Sequence, residues 1–315
     1  MLQQTQVATV IPYYERFLRT FPTVEALARA HESDVLLLWE GLGYYRRARS
    51  MHQAAQKIVA EHHGIIADNP ETLAQLPGLG RYTVNAILSQ AFDRRVPILE
   101  ANSRRVLCRL LGIDQDPRRA EVDKLLWESA ENLLPRRKGA GRFNQALMEL
   151  GALVCTPRKP MCSDCPLSRH CVARRQGRQE EIPVRTVPPK IEEVDDLALV
   201  IRRKDQVLIV QRPAVGRWAG LWEFPHHELT PGESHLQAAK RLLERMELRA
   251  ELGAELVTIR HAVTRFRITL VCLEARHLQG RFRCDQFQQG SWVDPARLQD
   301  FPFSSPQRKL AKAVC

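Results

Sequence analysis

The sequence predicts an all-α front half joined to a smaller α+β rear half. Three observations carry this. Tyr14, Phe17 and Leu18, and later Ile58 and Val59, fall at helical spacing. Glycine-centred turns, Gly41-Leu42-Gly43 and Pro77-Gly78-Leu79-Gly80, separate the front segments. From residue 195 onward, short apolar runs replace the helical period. The front domain is therefore read as residues 1–175 and the rear domain as 195–315. Residues 176–194 between them are polar, carry both charge signs and hold Pro183, Pro188 and Pro189, which is a linker composition.

Within the rear half, Leu197–Ile201 and Val207–Val210 read as a hairpin turning at Lys204-Asp205. Residues 235–246 read as one helix, and Ile268–Leu273 and Trp292-Val293 as further strands. At the other end, Leu2, Val7, Val10 and Ile11 are apolar at roughly helical intervals, with no capping residue ahead of them. The chain is thus expected to begin inside a helix.

The 315 residues suffice for two cores. No apolar run reaches about 18 residues, so no membrane span is expected. The first residues lack the layout of a secretory signal, and the cytoplasm is the expected compartment. Lys and Arg outnumber Asp and Glu, 47 to 36, for a net charge of +11. The excess gathers in three groups: Arg94, Arg95, Arg104, Arg105 and Arg109; Arg136, Arg137, Lys138 and Arg142; and Arg169, Arg174, Arg175, Arg178 and Arg185. Such groups suit a polyanion or form a solvated basic surface.

Two motifs carry chemistry. Cys155, Cys162, Cys165 and Cys171 crowd together, in a chain without a signal. That reads as a metal site rather than a disulfide framework. Four thiolates in a compact loop can hold a 4Fe–4S cluster. Zinc also takes four cysteines, usually as two CxxC pairs, and only one CxxC is present. The second motif is Leu76-Pro77-Gly78-Leu79-Gly80-Arg81-Tyr82-Thr83. Gly78 and Gly80 clear the way for backbone amides to approach an anion, and the following helix turns its positive end toward it.

This turn resembles the helix-hairpin-helix element that grips a DNA phosphate, and the cysteine spacing resembles the cluster loop of endonuclease-III-like glycosylases. MLQQTQVATVIPYYERF, WEGLGYYRRAR, LPGLGRYT, FNQALMELGALVCTPRKPMC and GLWEFP all resemble segments of the adenine DNA glycosylases. The resemblance implies a mainly α helix-hairpin-helix glycosylase domain with an iron–sulfur loop, followed by an α+β Nudix-like domain. It implies a protein that flips adenine out of duplex DNA opposite 8-oxoguanine or guanine and cleaves its glycosidic bond. With no heptad or obvious self-complementary patch in the sequence, a monomer is expected.

Roles follow motif by motif. Gln4 and Tyr44 resemble residues that wedge the duplex at the lesion, although an aromatic such as Tyr44 also suits a core. Gly78, Gly80, Arg81 and Thr83 belong to the DNA-gripping hairpin. Leu2 and Gln145 match positions lining the adenine pocket. Tyr82 stands where strand-cleaving relatives carry a lysine; a phenol forms no Schiff base, so strong strand cleavage is not expected. Glu100 stands where the family usually has aspartate, facing the sugar. It also suits a helix cap. Asn102 is expected to support it by hydrogen bonding.

In the rear domain, Gly232-Glu233-Ser234 and the following helix resemble a Nudix helix that keeps only Glu244. Binding rather than magnesium-dependent hydrolysis is expected there. The family's lesion-reading loop matches Val263-Thr264-Arg265, with Phe266 beside it. An ordinary strand turn is the other reading.

The family's catalytic glutamate stands two residues ahead of the position of Met1. The resemblance thus implies a chain begun too late, without its general acid. Two alternatives follow: a lesion-binding protein without catalysis, or a thymine or uracil mismatch glycosylase.

Overall fold

The computed structural model describes residues 1–184 and 190–315. Arg185, Pro188 and Pro189, named above, lie outside them. Ten helices occur in the front part: α1 (Val7–Thr20), α2 (Val24–Arg29), α3 (Glu32–Trp39), α4 (Arg46–His62), α5 (Pro70–Ala74), α6 (Arg81–Phe92), α7 (Ala101–Leu111), α8 (Ala120–Asn132), α9 (Ala140–Glu149) and α10 (Val172–Arg175). A π-helical turn, Leu150–Val154, extends α9. The rear part holds β1 (Glu192–Arg203), β2 (Gln206–Gln211), β3 (Trp222–Glu223), β4 (His226–Glu228), α11 (His235–Arg245), β5 (Leu248–Val263), β6 (Phe266–Gly280), β7 (Gln289–Val293) and α12 (Ser305–Val314). No helix among the described residues is long and apolar enough to cross a membrane.

Packing divides the chain into two compact units: Met1–Gly64 together with Pro189–Cys315, and Ile65–Pro188. This is a different cut from the chain-order division at 1–175, 176–194 and 195–315. The reason lies in the side chains of α1 to α4. Phe17, Leu36, Trp39 and Tyr45 bury in one cluster with Leu221 from the rear part. The Tyr45 hydroxyl donates to the Phe303 carbonyl at 3.0 Å, and Glu40 accepts from the Phe303 amide at 3.1 Å and from Arg308.

The sheet of that unit runs β3-β2-β1-β6-β5, with β4 also on β1 and β7 on β2. Strand β1 is buried on both faces. Ala198 and Val200 join Phe224, Phe303 and Leu310, whereas Leu197, Leu199 and Ile201 meet α11 through Ala239 and Leu242. A strand covered on both sides reads as a continuous apolar run, which is how it stands in the sequence. Arg203 pairs Gln206, so Lys204-Asp205 is a two-residue turn, with Lys204 at φ +52°.

In the unit Ile65–Pro188, Leu99, Leu107, Leu126, Trp127 and Ala173 form the core. Gly112 ends α7 at φ +72°, and a Cβ there would meet Val172 at 2.5 Å. Only glycine suits both the left-handed turn and this close approach.

The helix expected from the first residue begins at Val7. Leu2 and Thr5 form a turn instead, with Gln4 at φ +59°. The apolar spacing misled because Leu2 is 58% exposed and so marks no buried helical face.

Candidate functional site

Four local structures carry the candidate site residues, two in each unit. The first is the hairpin between α5 and α6. Asn69 caps α5, its side chain accepting from the Thr72 amide at 2.9 Å. Gly78 turns the chain at φ +78°. Gly80 then caps α6 with no side chain of its own, and a Cβ there would meet nothing within 4 Å. The helix thus presents its first-turn amides and positive end to open space. Arg81 does not reach into that space. Its guanidinium lies 3.9 Å from the centre of the Trp127 ring. Thr83 is half-buried in the first turn of α6.

Tyr82, in the same turn, is half-buried. Burial raises its hydroxyl above the ordinary tyrosine value, and the negative charge of Glu100 raises it further. The two residues are therefore electrostatic neighbours, and Tyr82 keeps its proton at neutral pH.

Glu100 is the cap of α7. Its Oε1 accepts from the Ser103 amide and its Oε2 from the Asn102 amide, both at 2.7 Å. Ser103 returns the contact, its Oγ accepting from the Glu100 amide at 2.8 Å. The carboxylate thus caps a helix, one of the two readings of Glu100, and its charge acts on Tyr82. Asn102 hydrogen-bonds Glu100, as expected. It supports Glu100 through its backbone, while its Oδ1 accepts from Arg105 at 2.8 Å. At the second helical position the amide points back to the cap, and the side chain leans toward the residue one turn on. Gln145 is exposed on α9 and donates to Glu149 at 2.7 Å.

The second structure is the cysteine loop. Cys155, Cys162, Cys165 and Cys171 are free thiols lining one open cavity, together with Arg109 and Arg174. Burial pushes the Cys162 thiol up, and Cys155, Cys171 and Cys165 add to the effect. Among the described residues no three His, Cys, Asp or Glu side chains close on a single ion. Four thiols spread round a shared cavity suit a polynuclear group better than one ion. Arg109 is buried, donating to Ile182 O at 2.8 Å, Thr156 O at 2.7 Å and Cys155 Sγ at 3.2 Å. Arg105 donates to Cys155 O at 2.8 Å and Gly151 O at 2.7 Å. Helix α7 therefore carries Glu100 at its start and holds the cysteine loop along its flank. A Cβ on Gly151 would stand 2.7 Å from that of Asn102, so the π-helical turn lies directly on α7.

This corrects the first arginine group. Arg105 and Arg109 face inward, Arg104 pairs Asp123 at 2.6 Å, and Arg94 pairs Asp68. Arg136, Arg137, Lys138 and Arg142 are exposed, as are Arg169, Arg174 and Arg175. These remain as the basic surface of that unit.

The third structure joins the first residues to the turn before α4. Tyr44 is 53% exposed, which removes it from the core, and its φ is +49°. Gln4 and Leu2 are also exposed. Arg47 ties the two segments together, a role the sequence did not suggest.

The fourth is the turn between β5 and β6. Val263 pairs Phe266, which leaves Thr264 and Arg265 as an exposed two-residue turn. Thr264 stands at φ +54°, its hydroxyl donating to Val263 O at 2.7 Å. Arg265 pairs Glu192 at 3.1 Å. The Phe266 ring is covered by two cations, Arg217 at 4.5 Å and Arg265 at 5.0 Å. On α11, Ser234 caps the helix, and Glu233 is taken up by Arg241 at 2.6 Å and Thr230.

Residues 1–132 match the HhH-GPD superfamily of base excision DNA repair proteins, and residues 197–313 match the NUDIX domain. The adenine DNA glycosylase of Rattus norvegicus is 39% identical over 292 residues, covering 78% of this chain and 56% of that protein. That of Homo sapiens is 40% identical over 294 residues, covering 78% and 53%. The chain thus spans little more than half the length of these relatives. Among solved structures, a thermostable thymine-DNA glycosylase is 27% identical with a TM-score of 0.50, covering 56% of this chain and 80% of that one. With a helix-hairpin-helix front and a Nudix-like rear, the chain is a relative of the adenine DNA glycosylases.

Proposed function

We propose that this chain is a DNA N-glycosylase that releases adenine from duplex DNA where it stands opposite 8-oxoguanine or guanine. The observation that carries this reading is the open, glycine-capped end of α6, with Tyr82 and Glu100 beside it. A phosphate seated on the α6 amides brings a sugar toward a carboxylate already fixed by two backbone donors. Glu100 then faces the positive charge that builds on the sugar as the base leaves. Tyr82 holds its proton and has no amine, so the sugar is released by water rather than through a Schiff base. Asn102 keeps Glu100 in place through its amide.

The remaining roles rest on the resemblance. Gln4 and Tyr44 enter the duplex, Leu2 and Gln145 contact the adenine, and Thr264, Arg265 and Phe266 read the 8-oxoguanine. Cys155, Cys162, Cys165 and Cys171 would hold a 4Fe–4S cluster, which supplies a rigid, charged centre to the basic loop around it. The rear sheet, matching the NUDIX domain, favours this reading over a thymine or uracil mismatch glycosylase.

The test is single-turnover adenine release from a duplex holding one 8-oxoguanine:A pair. Glu100→Gln is expected to slow release by about 10²- to 10³-fold while leaving binding intact. Running the same assay on a chain carrying the codons upstream of Met1 checks the expectation about the general acid. Binding of the mispair without release, with or without those codons, would withdraw the enzyme reading in favour of a lesion binder.

A further inference from the structure

We infer that Arg47 is the positioning residue that sets the two exposed turns carrying Gln4 and Tyr44. The inference rests on the reading of those residues as a wedge. Arg47 lies in the first turn of α4 and is half-buried. One of its terminal nitrogens donates to Met1 O at 2.7 Å and to Gln3 O. The other donates to Thr5 Oγ1 at 3.0 Å, Gly43 O at 3.2 Å and Leu42 O at 3.3 Å. The acceptors thus come from both sides of Gln4 and from the two residues preceding Tyr44. The same guanidinium lies 5.5 Å from the Tyr44 ring centre and 5.4 Å from that of the buried Trp39.

Gln4 and Tyr44 are both left-handed, at φ +59° and +49°. Non-glycine residues persist there only where the surroundings over-determine them. A planar fork engaging several carbonyls does this, and holds both side chains out to solvent. A lysine keeps the charge but presents a single point, so it cannot span both turns. Arg46, its neighbour, is exposed and makes none of these contacts.

The experiment compares the full chain with Arg47→Lys, Tyr44→Ala, the double variant and Arg46→Lys as a control. Two quantities are read: amide exchange of residues 1–6 and 41–45, and fluorescence of 2-aminopurine placed beside a mispair, which reports opening of the stack. Arg47→Lys is expected to speed exchange in both segments by about tenfold. It should also lose the fluorescence change to the same extent as Tyr44→Ala, with no further loss in the double variant. Arg46→Lys should do neither. Should Arg47→Lys fail to fold, Thr5→Val removes one arm of the same fork and should shift both readouts in the same direction. Faster exchange with unchanged fluorescence makes Arg47 merely structural and overturns the inference, as does unchanged exchange. Intact fluorescence in Tyr44→Ala instead overturns the wedge reading, and this inference with it.

Discussion

Arg105 and Arg109 on α7 spend their guanidiniums on carbonyls of the cysteine loop and its neighbours, whereas Arg217 and Arg265 lay theirs on the ring of Phe266. Arg109 is only 2% exposed, while Arg265 stands at the tip of a surface turn. The chemistry of the side chain is the same, and its use is opposite. A buried guanidinium with several carbonyl acceptors is architecture, because each lost donor leaves a buried oxygen unpaired. An exposed guanidinium stacked on a ring gives up little when a ligand takes its place. Within one basic chain, then, charge by itself does not say which arginines are left at the surface.

The comparison breaks first at Arg109. Arg109→Ala should cost about 3 kcal/mol or more in urea unfolding, since it strands the carbonyls of Thr156 and Ile182. If the four cysteines hold the proposed 4Fe–4S cluster, it should also lower the iron and sulfide bound by protein purified without oxygen. Normal stability and full iron content in that variant would place Arg109 with the surface arginines.

A smaller and opposite effect is expected at Asp196 on β1, which shares its electrostatic surroundings with Arg217. It is 4% exposed, and its Oδ1 has no hydrogen-bond partner among the described residues. Burial holds its carboxyl above the ordinary aspartate value, against the opposing pull of His226. Because the folded value is raised, Asp196 stabilises the fold below the unfolded value of about 3.9, and that stability is lost as pH rises through the folded value. Asp196→Asn should therefore melt higher than wild type at pH 7 and no higher at pH 3. Equal melting at both would show that the buried carboxylate has a partner after all.

The smallest effect on the fold belongs to Arg265. Arg265→Ala should change stability by no more than about 0.5 kcal/mol, given an exposed pair with Glu192. Affinity for an 8-oxoguanine duplex should fall by roughly threefold to tenfold, about 0.7–1.4 kcal/mol. Equal loss on undamaged duplex would make it a phosphate contact rather than a reader.

Some of the site was plain in the linear order of residues. Four cysteines within one short loop end up round one cavity, because a loop of that length keeps them together whatever else folds. Gly80 and Tyr82 are likewise local, set by a turn and the helix that follows. Glu100 was legible as a carboxylate at a helix start, but not its closeness to Tyr82, since 17 positions separate them. Strand β5 escaped notice because Leu248-Arg-Ala-Glu-Leu-Gly-Ala-Glu-Leu is rich in helix formers. Pairing with β6, from Leu248 opposite Gly280 to Val263 opposite Phe266, overrides that preference.

What depends on near neighbours was legible in the order of residues: the helical front, the Lys204-Asp205 turn, the helix of residues 235–246, the cysteine loop and the glycine hairpin. Backbone preferences and side-chain period act over a few residues, so a linear reading captures them. Tertiary structure alone decided the rest. It packed α1 to α4 with the rear sheet through Leu221 and Phe303, turned Arg105 and Arg109 inward, and drew the Gln4 and Tyr44 turns onto Arg47. Each of these joins groups distant along the chain, and an arginine reads the same in sequence whether its donors meet water or carbonyls.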